Sequence, residues 1–403
     1  MCLTMAGVTY RPGTPETWRS PWQMYADLRD HDPVHHVARP GRSDGDYYVL
    51  SRHADVLAAA VDTATFSSAQ GLTVEYDELE TIGLADNRPL VMLDPPDHTA
   101  FRKLVARGFT PRQVTTVEPQ VREFVVDRIE RLRAEGVGDI VEALFKPLPS
   151  LVVAHYLGVP EEGRERFDDW THAIVSASSA GDISGATQAI VDMMGYFSEL
   201  VDRRRSEPGD DTVSHLVAAG VGDDDAGILS ILSYVFTVVT GGNDTTTGML
   251  GGAVQLLETD RDQRRLLLDD PTLVKDAIEE FLRLTSPVQG LARTATRDVE
   301  VEGVTIPAGR RALLLYGAAN RDPRRYGPDA DDLDVRRRPG QILTFSQGSH
   351  HCLGAAAARM QAKVALEELL ARCPDFTVDL DGVEWAPGPY VRRPTTVPLR
   401  VAG

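Results

Sequence analysis

Phe345-Ser-Gln-Gly-Ser-His-His-Cys-Leu-Gly354 runs directly into the alanine-rich stretch Ala355–Leu370. The segment places one cysteine, Cys352, between Gly348 and Gly354 and beside two histidines, at the predicted start of a helix. A thiolate is the reactive and ligating form of cysteine, and a free thiol titrates at about pH 8.5, so a working site has to favour ionisation. A helix N-terminus does so, because its unpaired N–H groups point outward with partial positive charge. Gly348 and Gly354 lack a Cβ and let the backbone lie against a large flat ligand. Cys352 is therefore a candidate thiolate beside room for such a ligand.

Two blander readings compete. A buried cysteine is usually a small hydrophobe without chemistry, which suffices for Cys2 and Cys373. His350-His351-Cys352 is also compatible with zinc, but zinc takes four ligands in recognisable pairs, and no CxxC or HxxxH partner occurs in the chain.

At 403 residues, with 42% hydrophobic and 25% charged residues, the composition is that of an ordinary globular protein. A net charge of −18 argues against nucleic acid and anionic membrane surfaces as partners. Three cysteines form no even framework, which fits a reducing cytoplasm. The first residues, Met1-Cys-Leu-Thr-Met-Ala6, have neither a basic region nor an apolar core of signal-peptide type. The most apolar run, Gly227–Gly242, is interrupted by Ser230, Ser233, Thr237 and Thr240 and is shorter than the ~20 residues of a membrane span. It reads as a buried helix, so no membrane anchor is expected.

Apolar residues at three- and four-residue spacing predict helices over Gln120–Glu135, Thr187–Glu207, Asp225–Glu258, Leu273–Leu284 and Ala355–Cys373. Tyr47–Leu50, after the turn-like Ser43–Asp46, reads as a strand. Val299, Val301, Val304 and Ile306 alternate around Gly303 as a hairpin, and Ala312–Tyr316 is a further strand. The expected architecture is mainly α with small β-sheets in the N-terminal and C-terminal regions. No repeat or long linker divides residues 1–403, so one large domain is expected.

A second unusual stretch, Gly241-Gly-Asn-Asp-Thr-Thr246, lies inside the long apolar helix. Two internal glycines cost a helix roughly 2 kcal/mol relative to alanine. An Asp among apolar residues is costly unless hydrogen-bonded or functional. Thr245 can return its hydroxyl to the Gly241 carbonyl one turn back, which predicts a bend.

The pattern Phe-(Gly/Ser)-x-Gly-x-His-x-Cys-x-Gly resembles the haem-thiolate loop of the cytochrome P-450 superfamily, and Gly-Gly-x-Asp-Thr resembles that family's oxygen-binding helix motif. The likeness implies a single α-rich cytochrome P-450-type domain with haem b (iron protoporphyrin IX) bound axially by Cys352, and with Phe345 and Gly348 against the ring. It implies that the helix opens beside the iron, that Thr245 hydrogen-bonds dioxygen there, and that Asp244 gates protons. His98 and Arg102 match the family's His-x-x-x-Arg; with Arg293 and His350 they would hold the haem propionates. Glu280 and Arg283, three apart on one helix face, match its Glu-x-x-Arg and would support the cysteine loop with a further arginine. Arg337 fits the spacing of that third partner best, although the usual aromatic is replaced by Leu333, which leaves Arg336 and Arg338 open. The Gln70–Met92 stretch, Val288–Leu291 and Ser176–Ala186 would lie around the distal pocket, with Tyr390 a further candidate, and the small residues of Ser176–Gly181 suggest a mobile lid.

Ser286–Arg293 and His351–Gln361 are similar in particular to the actinobacterial, mycobacterial group numbered one hundred and thirty. Ser346 stands where glycine is common, and Gln361 where an acidic residue is usual. The implied activity is that of a soluble, cytoplasmic monooxygenase inserting one oxygen atom of O2 into a small, largely apolar substrate. No GxGxxG after a strand and no cysteine cluster occurs, so electrons would come from a separate ferredoxin or flavodoxin with its NAD(P)H-dependent reductase. Arg102, Lys103 and Arg107 are the expected basic patch for such a donor. A haem-based gas sensor, a zinc-binding structural protein and peroxide-driven or C–C coupling chemistry are the competing readings.

Overall fold

The computed structural model describes residues 8–39, 45–81, 87–180 and 183–401. Helices dominate, as the three- and four-residue spacing requires. The Thr187–Ser206, Asp225–Thr259, Val274–Thr285 and Ala355–Arg372 helices fall within a residue or so of their predicted bounds. The Pro111–Glu135 helix starts well before the predicted Gln120. Its start is a capping box: Thr110 accepts from the Gln113 backbone while the Gln113 side chain returns to Thr110 N–H, with Pro111 in the first turn. Pro119 sits inside that helix without ending it. The Ala312–Tyr316 strand also needs correction. Pairing covers Arg311–Leu314, and Tyr316–Ala319 is a short helix.

Asp225–Thr259 is the central helix. It is long and apolar enough by composition to cross a membrane, yet it packs against the Pro147–Leu157, Arg164–Ala180, Val274–Thr285 and Ala355–Arg372 helices. Its polar residues are accommodated by returning hydroxyls to carbonyls one turn back, at Ser230, Thr237, Thr240, Thr245 and Thr246. The helix runs continuously through Gly241–Thr246. Gly242 has a packing reason: a Cβ there would meet Val153 Cγ2 of the neighbouring helix at 2.9 Å.

The largest sheet has five strands in the order Val34–Val37, Tyr47–Leu50, Arg311–Leu314, Leu291–Ala295, Phe66–Ser67. Tyr47–Leu50 runs parallel to Arg311–Leu314, and the other pairs are antiparallel. Val299–Val301 and Val304–Ile306 form the predicted hairpin. Chain-terminal strands make two more small sheets, one joining Val137–Asp139 to Pro398–Arg400 and Thr377–Val378. The apolar core gathers on the central and Ala355–Arg372 helices, and a second cluster lies between the central helix and Arg164–Ser206.

Candidate active site

The cysteine loop is folded by its own backbone. Cys352 N–H donates to the Phe345 carbonyl at 2.8 Å and Ser346 N–H to Leu343 at 2.9 Å. Gly348 sits at φ +69° and Ser346 at +55°. The second value is the left-handed region where glycine carries no Cβ penalty. A Cβ on Gly348 would meet Val61 Cα at 3.1 Å, so this glycine also lets the loop press on the His53–Val61 helix. Phe345 lies under the Arg359 guanidinium, 4.7 Å from ring centroid to Cζ, and Arg359 is forked onto Glu279.

Beneath the loop lies a buried ion-pair network. Arg283 Nε and Nη2 each donate to Glu280 at 2.7 Å, with both side chains fully buried. Arg337 is the third partner: its Nε donates to Glu280 Oε1 at 3.0 Å and its Nη2 to Asp329 at 2.8 Å. Arg338 instead pairs with Asp276. Asn320 connects this network to the loop, a role sequence reasoning missed. Its carbonyl accepts from Arg283 Nη1, its Oδ1 accepts from Leu343 N–H at 2.8 Å, and its Nδ2 donates to Ser286 and Thr344. Gln361, at the second departure from the pattern, donates to the Ala357 carbonyl and leaves its buried Oε1 without a partner.

Cys352 is reachable from solvent by accessible surface yet densely surrounded by protein. Burial pushes its thiol pKa up, partly offset by the Gly354 N–H, Arg102 and Arg359. The helix end expected to favour the thiolate is present as the Gly354 N–H, and burial opposes it. Ionisation here calls for a cation, and a coordinating metal deprotonates a thiol outright.

Four nitrogen groups converge near this loop. The His98 and His350 rings lie 4.3 Å apart. The Asp97–Val105 helix places Arg102 one turn beyond His98, and Arg102 Nη2 donates to the His351 carbonyl at 2.5 Å. Arg293, at the centre of the Leu291–Ala295 strand, is 2% exposed and donates to the Ala292 carbonyl. Burial, Arg293, His98 and Arg102 push His350 down to about 3, so its imidazole is neutral; its Nε2 lies 3.2 Å from Ser68 Oγ. Burial and Arg102 also lower His98, whose Nδ1 is buried without a partner. The nearby Asp94 carboxylate is taken up by Ser67 and by Ser68 N–H. Surplus donors beside one sulfur suit a flat group carrying carboxylates and a metal, which is what haem offers. Among the described residues no cluster of three or more His, Cys, Asp or Glu could hold a metal ion in zinc's manner.

The central helix presents the other constellation on two faces. Thr245 is half-buried, with its hydroxyl returned to Gly241 at 3.0 Å. Asp244 turns to a polar cavity of about 420 Å3 and pairs with Arg393 at 2.8 Å. Lys146, Asp168 and His172 line the same cavity. No spacing pattern could have announced Arg393, which lies far along the chain. Tyr390 holds the Val74 N–H at 2.9 Å through its hydroxyl. Residues 82–86 of Gln70–Met92 and residues 181–182 of Ser176–Ala186 lie outside the described residues; Ala177 within the latter is half-buried in a helix.

The cytochrome P450 family model matches residues 255–384. Cytochrome P450 130 of Mycobacterium tuberculosis is 68% identical over 395 residues, covering 97% of this chain and 98% of its own. The chain belongs to the cytochrome P450 family. Vitamin D(3) 25-hydroxylase of Pseudonocardia autotrophica is 37% identical over 99% of this chain and 98% of its own. Among solved structures, cytochrome P450 CYP109Q5 from Chondromyces apiculatus superposes with a TM-score of 0.84 at 32% identity, covering 96% of this chain and 97% of its own. The cytochrome P450 PksS of Bacillus subtilis gives 0.86 at 27% identity, covering 98% and 100%. The chain is a haem-iron P450 monooxygenase, and substrate, O2 and a redox partner come with the family.

Proposed function

We propose that this P450 carries haem b on Cys352 and inserts one oxygen atom of O2 into a small, largely apolar organic molecule. The other oxygen leaves as water, and two electrons and two protons are consumed. The observation that carries the reading is Cys352 in a donor-rich setting where, among the described residues, Arg102, Arg293, His98 and His350 form no ion pair with a carboxylate. Bound haem supplies the electron-rich metal that activates oxygen. Arg102, Arg293 and His350 orient its carboxylates, and His98 adds its unpaired Nδ1. Glu280, Arg283, Arg337 and Asn320 hold the loop that aims the sulfur. Thr245 offers a hydroxyl from the central helix, and Asp244 moves protons in from the polar cavity, where Arg393 holds its carboxylate. That relay fits a hydroxyl on one helix face and a carboxylate on the next.

The electron donor in this reading is a separate ferredoxin or flavodoxin served by an NAD(P)H-dependent reductase. Arg102 turns inward to the His351 carbonyl and is half-buried, so it does not serve as a docking charge. Lys103 is exposed, and the Arg107 side chain lies outside the described residues. A cytoplasmic location matches three cysteines without an even framework. Relatives named as hydroxylases support C–H oxidation. The test is a substrate-library screen for the spectral shift caused by displacing water from ferric haem, followed by product analysis with a reconstituted electron chain. An oxygenated product supports the reading; binders without product, in a fully reduced system supplied with O2, overturn it.

A further inference from the structure

A second polar cavity, of about 150 Å3, lies away from the cysteine, among Trp22, Gln255, Thr259, Arg321, Leu380 and Arg392. It is well above the ~10–15 Å3 that one water needs. Arg321 and Arg392 are 4% and 8% exposed, and both guanidinium groups lie over Trp22, at 3.6 and 4.8 Å from the ring centroid. Trp385 covers Arg392 at 4.0 Å. Cation–π contact with Trp contributes about 0.5–2 kcal/mol, which does not replace a counter-ion for a desolvated charge.

The hydrogen bonds are incomplete. Arg392 donates Nε to the Trp18 carbonyl at 2.6 Å, and among the described residues its two terminal nitrogens have no protein partner. Arg321 donates to Asp331 and to the Leu284 carbonyl, while its buried Nε has no partner. Among the described residues no carboxylate lines the cavity; Asp331 reaches Arg321 from a half-exposed surface position. The charge state reflects this. Burial, then repulsion from Arg321, brings Arg392 down to about 9. Arg321 falls to about 10, with burial the main cause and Asp331 opposing it. Of its lining residues, Thr259 and Leu380 are exposed.

We propose that this cavity binds a small oxyanion, of the phosphate or compact carboxylate class, between the Arg392 and Arg321 guanidinium groups. Planar guanidinium forks match such oxygens in pairs, and an enclosed site strengthens each charge-assisted bond. The bound anion would tie together the Trp22–His31 helix, the end of the central helix, the end of Val274–Thr285 and the C-terminal segment. Each of these contributes a lining residue. A ligand bound only by the folded state raises its melting temperature in a saturable way.

The haem-loaded enzyme is titrated with inorganic phosphate at constant ionic strength, with calorimetry for binding and a thermal melt for stability. Acetate serves as the carboxylate arm and chloride as the control for charge without paired oxygens. Saturable binding of phosphate or acetate, with a parallel rise in melting temperature and a weaker chloride effect, is expected; which of the two binds more tightly assigns the source. Gln255→Glu gives up the 2.8 Å bond from Gln255 Nε2 to the Gly251 carbonyl and adds a carboxylate to the cavity lining while both arginines remain. The oxyanion affinity should fall by about tenfold or more, since a like charge against the ligand costs on that scale. The same variant should melt higher than wild type in anion-free buffer. Arg392→Gln gives a second loss of response if Gln255→Glu does not fold. Non-saturable salt effects, equal for chloride and phosphate or equal in wild type and variant, overturn the proposal and leave cation–π stacking and water as the occupants.

Discussion

Replacing Glu280 with Gln removes one charge from the network beneath the cysteine loop without changing its volume. Glu280 accepts two bonds at 2.7 Å from Arg283 and one at 3.0 Å from Arg337. Arg283 is fully buried, and its other bonds go to the carbonyls of Asn320 and Ala330. Losing the carboxylate strands a buried guanidinium, and breaking such a pair from one side costs about 3–5 kcal/mol. Arg337→Ala differs: Arg337 is partly exposed and also bonds Asp329, and its loss leaves the Glu280–Arg283 fork intact. That change should cost about 1–2 kcal/mol, the scale of one charge-assisted bond at a partly solvated site. Urea titration of the haem-loaded protein, followed by far-ultraviolet dichroism and by the haem band, reads both values; coincident curves check two-state behaviour. A Glu280→Gln variant no less stable than Arg337→Ala would refute the argument that an uncompensated buried charge dominates.

Thr245→Ala should retain haem but divert NAD(P)H consumption towards hydrogen peroxide, while Asp244→Asn should slow turnover by about 100-fold or more, the usual scale for losing a positioned acid–base group; tight coupling in the first or an unchanged rate in the second contradicts the relay. Ser346→Gly removes a left-handed strain of roughly 1–2 kcal/mol but adds unfolded-chain freedom and forfeits the 3.3 Å bond from the Tyr316 hydroxyl. A gain in urea midpoint is expected, and a clear loss would mean that the Tyr316 bond outweighs the strain. Burial raises the Asp168 carboxyl above its ordinary range, against the opposing bond from Ser150. The folded state then holds its proton more tightly than the unfolded chain, so ionised Asp168 lowers stability above its folded pKa and stops doing so below the unfolded value near ~4. Asp168→Asn should therefore melt higher than wild type at neutral pH, with the gain shrinking as pH falls towards that value; a gain that grows on acidification contradicts the sign.

The helical frame was legible because amphipathic spacing is a local signal. The central helix and the Ala355–Arg372 helix were placed almost to the residue. The start at Thr110 was written in the sequence too, as Thr-Pro-Arg-Gln113, but only capping chemistry reveals it. Gly241–Thr246 lies inside one continuous helix for a physical reason. Gly242 relieves contact with Val153 and the hydroxyls return to the helix's own carbonyls, so the sequence that weakens a helix is here satisfied within one. Within the site, Arg337 matched the expected spacing, and the geometry puts it on Glu280. Arg393 beside Asp244, and Asn320 between ion pair and loop, were not legible, because such contacts depend on distant segments meeting in three dimensions.

The account rests on a sulfur–iron bond at Cys352. The direct measurement is the absorption spectrum of purified, haem-replete protein after reduction and exposure to carbon monoxide, with a Cys352→Ser variant beside it. Thiolate ligation predicts a Soret maximum displaced to the red in the wild type and absent in the variant. A wild-type spectrum without that displacement, or one that survives loss of Cys352, contradicts the assignment.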